Sequence, residues 1–176
     1  MDVFGKKPTS KVGEYFRNNV WWWHPLWDYC CMVAGNRLNS DLQMTGHDNS
    51  GSGLNGKDSK ILAQMLQKEV DSGRTKDYEE KHQQSRKDAP DVPCTICGGT
   101  GKREMTKELA DSSTTFSKAL GIKDNKPEHE IGEEFECNAC HGKGTEKPFW
   151  THYPFSEDNV KEFIAFLKDC GGFEIC

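Results

Sequence analysis

Two stretches of the sequence follow one pattern: Cys94-Thr95-Ile96-Cys97-Gly98-Gly99-Thr100-Gly101 and Cys137-Asn138-Ala139-Cys140-His141-Gly142-Lys143-Gly144. Both read C-x-x-C-x-G-x-G. Two residues between the cysteines allow both thiolates to converge on one ion from a tight turn, and structural zinc takes four such ligands in a tetrahedron. The sequence therefore predicts one zinc ion per chain, bound by Cys94, Cys97, Cys137 and Cys140.

The glycines after each cysteine pair support this prediction. Glycine adopts positive φ at little cost, so the backbone can curl its N–H groups toward the sulfur atoms and offset the charge of four thiolates. The alternatives are reduced cysteines in ordinary turns and a redox pair. A thioredoxin-type pair lies between a strand and a helix, and the sequence around the repeats indicates no such unit.

The repeats resemble the cysteine-rich zinc module of DnaJ-type co-chaperones. In that family, four C-x-x-C-x-G-x-G repeats form two zinc sites on paired β-hairpins, and the module helps to bind unfolded polypeptide. Two repeats in this chain imply one zinc ion. The resemblance does not extend to a J-domain, because His24-Pro25 is followed by Leu26 and the His-Pro-Asp tripeptide is absent.

Outside the repeats, the apolar residues lie near the two ends of the chain. Ser156 is expected to cap a last helix whose apolar positions follow helical spacing: Val160, Phe163, Ile164 and Leu167. This face needs a partner, and the tryptophan-rich N-terminal part is the best candidate. We predict a mainly α protein with a helical core formed from both chain ends and an inserted zinc-knuckle β-hairpin module.

This prediction divides the chain into three parts. Residues 1–92 form an N-terminal Trp-rich helical part, residues 93–147 the zinc module, and residues 148–176 a C-terminal helix that packs on the N-terminal part. The zinc module includes a long polar insertion, residues 102–136, with a short helix around Glu104–Leu120. Loops of this length are often functional or mobile, so the insertion is either a contact surface or disordered.

The remaining elements are predicted from local signals. A first helix is expected to run through Val12, Phe16 and Val20 and to end at Pro25, which lacks an N–H, with a second short helix from Leu26. The turn-rich residues 35–58 are expected to form a loop. Further helices are then predicted to begin at an Asp58 or Ser59 cap and to cover the polar residues 74–92 before a linker.

Composition limits the function. The chain has 176 residues, 34% of them hydrophobic, and a net charge of −5, which does not favour nucleic-acid binding. There is no apolar run of transmembrane length and none of signal-peptide length, so the sequence predicts a cytoplasmic protein. Thiols stay reduced in that compartment, which favours metal binding over disulfides for the eight cysteines.

The candidate partner-binding residues fall in two groups. The tryptophans are either core residues or an aromatic binding surface, and three consecutive ones cannot all face one side of a helix. The second group is a basic pair in the zinc module. Together the candidates are Trp21, Trp22, Trp23, Trp27, Lys102 and Arg103. We therefore expect a zinc-binding protein-interaction protein with a protein or peptide partner, and not an enzyme.

Two other functions stay open at this stage. One is an enzyme with a site between the Trp-rich helices and the Gly46–Gly53 loop, to which His24, His47 or Asp48 would contribute. The other is a nucleic-acid-binding zinc module that uses the basic residues Lys102, Arg103, Lys143 and Lys147. The four remaining cysteines could form a second metal site if the chain ends meet: Cys30, Cys31, Cys170 and Cys176.

Overall fold

The computed structural model of the chain describes residues 1–119 and 129–176. These residues form six α-helices: α1 (Val20–Ala34), α2 (Ser40–Thr45), α3 (Gly56–Asp71), α4 (Arg74–Asp88), α5 (Lys107–Ala119) and α6 (Glu157–Asp169). The strands are short: β1 (Asp2–Gly5), β2 (Tyr15–Arg17), β3 (Val92–Pro93), β4 (Lys102–Glu104), β5 (Glu134–Glu136), β6 (Thr145–Glu146) and β7 (Phe173–Ile175). The prediction of a mainly α protein is confirmed.

The chain forms two compact units. The first, the helical unit, consists of residues 1–88 and 149–176. The second, the cysteine unit, consists of residues 89–148. The predicted helix around Glu104–Leu120 corresponds to α5, and its last residue, Leu120, lies outside the described residues. Among the helices in the described ranges, none combines the length and the apolar composition needed to cross a membrane.

The core of the helical unit is built from elements at both ends of this sequence. α6 begins at the cap Ser156, whose side chain accepts a hydrogen bond from the N–H of Asn159, as predicted. Its apolar face packs on α3, and the buried residues of the two helices are Leu62, Ala63, Leu66, Val160, Phe163, Ile164, Phe166 and Leu167. Burial of these side chains, at about 25 cal/mol per Å² of apolar surface, is the main force that joins the helices.

A three-stranded antiparallel sheet joins the first and last strands of the helical unit. β1 lies between β2 and β7, and Val3 pairs with both Phe16 and Ile175. The N–H of Asp2 donates to the carbonyl of Cys176 at 3.0 Å, and the N–H of Cys176 donates back at 2.7 Å. Phe173 and Ile175 are buried, and Phe173 packs against Phe163 and Phe166 of α6.

The helix predicted through Val12, Phe16 and Val20 is wrong. Residues Lys11–Gly13 form only a short 3-10 turn, and Phe16 lies on β2 between two exposed neighbours, Tyr15 and Arg17. A single apolar residue between polar ones follows the two-residue period of a strand. The edge position beside β1 determines this conformation, and one sequence does not reveal that partner.

The prediction that Pro25 ends a helix is also wrong. α1 begins after the cap Asn19 and continues through Pro25 to Ala34. Proline in a helix interior costs about 3 kcal/mol, because one hydrogen bond is lost and the ring meets the preceding turn. Five side chains on both sides of Pro25 are buried and offset this cost: Trp23, Leu26, Trp27, Tyr29 and Cys30.

The predicted loop over residues 35–58 is wrong in part, because it contains α2 and the start of α3. Asn55, and not Asp58 or Ser59, caps α3: its side-chain oxygen accepts from the N–H groups of Lys57 and Asp58. The helix expected within residues 74–92 is present as α4. Its buried face is polar and consists of Thr75 and Glu79, which explains why no apolar stripe marks it in the sequence.

Candidate metal centre

The two cysteine repeats fold into the same tight turn. In the first, the N–H of Gly99 donates to the carbonyl of Cys94 at 3.2 Å. The equivalent bond in the second joins Gly142 to Cys137, also at 3.2 Å. Each turn places the second cysteine of its pair beside the first. The repeats therefore share a backbone conformation as well as a sequence pattern.

Strand pairing joins the two repeats in an arrangement with local two-fold symmetry. The strand before each repeat pairs with the strand after the other, so that β3 pairs with β6 and β4 with β5. The N–H of Cys94 donates to the carbonyl of Gly144, and the N–H of Cys137 donates to that of Gly101, both at 2.9 Å. This reciprocal pairing brings the two cysteine pairs face to face.

The four sulfur atoms of the two cysteine pairs lie close together. The Sγ atoms of Cys94, Cys97, Cys137 and Cys140 all lie within 4.8 Å of one another. Cys94 and Cys137 are 3.9 Å apart, and Cys97 and Cys140 are 3.8 Å apart. A tetrahedron with Zn–S bonds of about 2.3 Å has edges of about 3.8 Å. The four cysteines are therefore close enough to bind one metal ion.

Backbone N–H groups point at two of the sulfurs, as the glycine pattern predicted. Gly101 donates to the Sγ atom of Cys97 at 3.2 Å, and Gly144 donates to that of Cys140 at 3.3 Å. Burial alone would raise the pKa of Cys97. The N–H groups of Gly101 and Gly99, with the adjacent thiols, lower that pKa to about 6. Burial raises the pKa of Cys94 to about 11.

The chemistry of this donor set suits a soft metal ion. Four sulfur ligands in a tetrahedron are typical of zinc or iron–sulfur sites, and a closed set of four leaves no position for a substrate. Cys94, Cys137 and Cys140 are buried and Cys97 is half-buried. Within residues 1–119 and 129–176, no other group of histidine, cysteine or acidic side chains converges in this way.

No family model matches the chain. The curated proteins and the solved structures likewise contain no match to it. Any function must therefore be argued from the geometry of the site.

The remaining cysteines do not converge on a second metal site. Cys30 and Cys170 are buried in the core of the helical unit, Cys31 is half-buried, and Cys176 is exposed. Burial raises the pKa of Cys30 well above its ordinary value, and the neighbouring Cys31 raises it further. Cys30 therefore stays a protonated thiol and packs as a small apolar side chain.

The tryptophans divide between the core and the surface. Trp23 and Trp27 are fully buried and form part of the core of the helical unit. Their indole N–H groups donate to the carbonyls of Gly46 and Gln43, at 2.8 and 3.1 Å. Trp22 is half-buried. Trp21 is 37% exposed and contacts Phe149 and Tyr153, so it is the most exposed tryptophan of this run.

The basic candidates Lys102 and Arg103 lie on β4, which pairs with β5. Lys102 contacts Glu134 at 3.4 Å. The Arg103 guanidinium lies 5.8 Å from the ring centroid of Phe135, on whose ring His129 also stacks. Lys147, another basic candidate, contacts Asp91 at 3.0 Å. The carboxylates of Glu134 and Asp91 therefore offset the charges of Lys102 and Lys147.

Two of the candidate catalytic residues lie side by side. The rings of His24 and His47 are 5.0 Å apart, and His47 Nε2 is 3.2 Å from a carboxylate oxygen of Asp28. Asp28 was not predicted as a site residue, because no motif marks it, but it lies four residues after His24 and so shares its face of α1. Among the described residues, no hydrogen bond joins Asp48 to these side chains. Two imidazoles and one carboxylate in this arrangement do not by themselves indicate a reaction.

The last glycine of each repeat is essential to the turn pairing. Gly101 has φ of +74°, and a Cβ atom there would overlap the carbonyl oxygen of Gly142. Gly98 also has positive φ, at +60°, but a Cβ atom there would meet nothing within 4 Å. We expect Gly101→Ala to weaken metal affinity at least about tenfold more than Gly98→Ala, which shares only the φ penalty of about 1 kcal/mol. Competition with a chromophoric chelator measures both variants, and equal losses would contradict the role of the close approach.

Proposed function

We propose that the cysteine unit binds one zinc ion, which has a structural role, and that the unit presents a surface to a protein or peptide partner. The single observation that carries this proposal is the closed, two-fold set of four sulfurs supported by glycine N–H groups. The proposal includes the similarity to a DnaJ-type module, in a two-repeat form. The zinc knuckle would then be a β-hairpin insertion between the two parts of the helical unit.

The chain itself supplies most of the site. Zinc, when bound, links four thiolates that are far apart in the sequence. The paired turns hold the sulfurs at nearly the required spacing, and Gly101 and Gly144 donate to two of them. These N–H groups stabilise the charged form of the cysteines, as hydrogen bonds to thiolates do. With four protein ligands, the ion has no open position for a substrate, which supports a structural role.

The outer surface of the cysteine unit offers apolar contacts. Ile96, between the two cysteines of the first repeat, is 53% exposed, and Ile131 is 68% exposed. Ile96 lies on a metal-held turn and loses little conformational freedom when it binds, which favours capture of an extended apolar segment. The offset charges of Lys102 and Lys147, on a chain of net charge −5, favour a peptide over nucleic acid.

A permanently unfolded polypeptide, reduced and carboxymethylated so that it cannot refold, provides the test. We expect the zinc-loaded protein to bind it, and Ile96→Ser to weaken binding about tenfold, because burial of one isoleucine contributes about 1.5–3 kcal/mol. Met44→Ser is the matched control, since Met44 is 67% exposed on the helical unit. Fluorescence anisotropy of the labelled polypeptide measures the affinity.

Chelation provides the second arm of this test. Binding that disappears with the metal and returns on addition of zinc supports a role for the cysteine unit. Binding that survives both chelation and Ile96→Ser, or that Met44→Ser reduces equally, would place the contact elsewhere on the protein and overturn the proposal.

A further inference from the structure

A cavity on the helical unit is independent of the metal centre. It has a volume of about 280 Å³ and lies between α1, α4 and the residues that follow Pro148. Five aromatic or imidazole rings and one carboxylate line it: His24, Asp28, Tyr78, His82, Trp150 and Tyr153. This composition is unusual for a surface depression, because nearly every wall presents the face or the edge of a ring.

Contacts between the lining residues hold the cavity in shape. His82 Nε2 is 2.8 Å from the carbonyl oxygen of Tyr153, which ties α4 to the segment that carries Trp150. The rings of Tyr78 and His82 stack at 6.1 Å, and the rings of His24 and Tyr153 lie 5.7 Å apart. A ligand would therefore enter a site whose walls are already ordered, and little entropy would be lost on binding.

The charge of the cavity is negative. Asp28 is the one acidic residue in its lining, and its side chain is 64% exposed at the mouth. No lysine or arginine lines the cavity. Burial lowers the pKa of His24, and the nearby His47 lowers it further. His24 is therefore neutral at pH 7. The remaining contact of Asp28 in this region is His47, whose Nε2 atom is 3.2 Å away.

The rings and the carboxylate of the lining favour a cationic ligand. Aromatic faces carry partial negative charge and attract cations, most strongly when several rings surround one cation. An anion would be repelled by Asp28 and by the ring faces. A neutral apolar ligand would leave the carboxylate unused.

We propose that this cavity binds an organic cation of the alkylammonium class, with the cationic group between the rings of Trp150 and Tyr153 and close to the Asp28 carboxylate. The volume admits a group of the size of trimethylammonium together with the first carbons of its chain. Such a group occurs both in small free molecules and in methylated lysine side chains of proteins. The shared chemistry is the cation, and the experiment separates the two sources.

The test uses the zinc-loaded protein and three probes. These are choline, its neutral isostere 3,3-dimethylbutanol, and a short peptide that carries trimethyllysine. Titration followed by NMR chemical shifts detects binding at millimolar affinity. We expect the cations to bind at least about tenfold more tightly than the neutral isostere, since a desolvated cation–π contact with a nearby carboxylate contributes on this scale.

Paired variants locate the site. We expect Asp28→Asn to weaken cation binding about tenfold and Trp150→Leu at least about threefold. The matched controls are Asp48→Asn and Phe149→Leu, which remove a carboxylate and an exposed ring outside the lining. Asp28 and Trp150 are both substantially exposed, so their variants should keep the thermal stability of the parent, and a melting curve checks this.

The outcomes distinguish the sources and can overturn the proposal. Tighter binding of the peptide than of choline indicates a protein partner with a methylated lysine, and the reverse indicates a small free cation. Equal binding of choline and its neutral isostere, no binding of either cation, or full binding by both Asp28→Asn and Trp150→Leu would overturn it.

Discussion

Removal of the metal is expected to unfold residues 89–148 and to leave the helical unit folded. Among the described residues of the cysteine unit, the buried apolar side chains other than the cysteines are Ala89, Met105 and Ala110. These three side chains are too few to form a core that could offset the conformational entropy lost when this unit folds. Zinc binding contributes about 10–16 kcal/mol to the folding of zinc-finger peptides, which is ample to order a unit of this kind.

Amide hydrogen exchange measures this outcome residue by residue. In the zinc-loaded protein, the N–H groups of Cys94 and Cys137, which bond across the two-fold arrangement, should be protected. After chelation, or in Cys137→Ser, they should exchange at the rate of an unfolded chain, while protection within α3 and α6 persists. Cys176→Ser is the control, because Cys176 is an exposed thiol outside the site.

Protection of the cysteine unit in the metal-free protein would contradict this expectation. Loss of protection throughout α3 and α6 would contradict the expectation that the helical unit stays folded without the metal. Elemental analysis of untagged protein completes the test, with one zinc ion per chain as the expected value. Substitution by Co²⁺, whose tetrahedral thiolate complexes absorb strongly in the visible range, reports the geometry of the site.

The second large effect is expected from Trp23→Ala. Trp23 is fully buried, stacks on Trp27 at 5.7 Å, and contacts the edge of Phe163. Its indole N–H also donates to the carbonyl of Gly46 at 2.8 Å. Truncation of a buried tryptophan costs about 3–5 kcal/mol, and here it also leaves a buried carbonyl without its donor. This is a large fraction of the stability of an ordinary domain.

Urea unfolding followed by circular dichroism measures the effect in the zinc-loaded protein. Trp21→Ala is the matched control, because Trp21 precedes Trp23 by two residues on the same helix but is 37% exposed. We expect its free energy of unfolding to fall by about 1 kcal/mol or less. Similar losses for the two variants would show that the tryptophan run does not divide into core and surface residues.

The parts of the structure that were predictable are those whose signals are local. Ser156 and the apolar face of α6 lie in one short segment, and the spacing of that face is sufficient to predict a buried helix. The approach of the four cysteines was predictable as well, because the repeated pattern specifies both turns. Thiol spacing and glycine conformation together leave few other uses for such turns.

The parts that were missed depend on distant partners. Phe16 is in a strand because β2 pairs with β1, which in turn pairs with β7 at the other end of the sequence. Pro25 lies within a helix because the buried side chains around it outweigh its local preference. The aromatic cavity was missed for the same reason. Its lining combines residues of α1, α4 and the segment after Pro148, and none of these carries a motif.

The pairing of β3 with β6 has a consequence for how the chain folds. It brings Val92 beside Glu146, so the entry and exit of the cysteine unit are adjacent. The two parts of the helical unit would otherwise have to find each other across the whole length of residues 89–148. Shortening that connection roughly tenfold lowers the entropy cost of loop closure by about 2 kcal/mol. A metal ion that binds early would thus shorten this connection before the helical unit has formed. The last helix would then reach its partner sooner than in the metal-free protein.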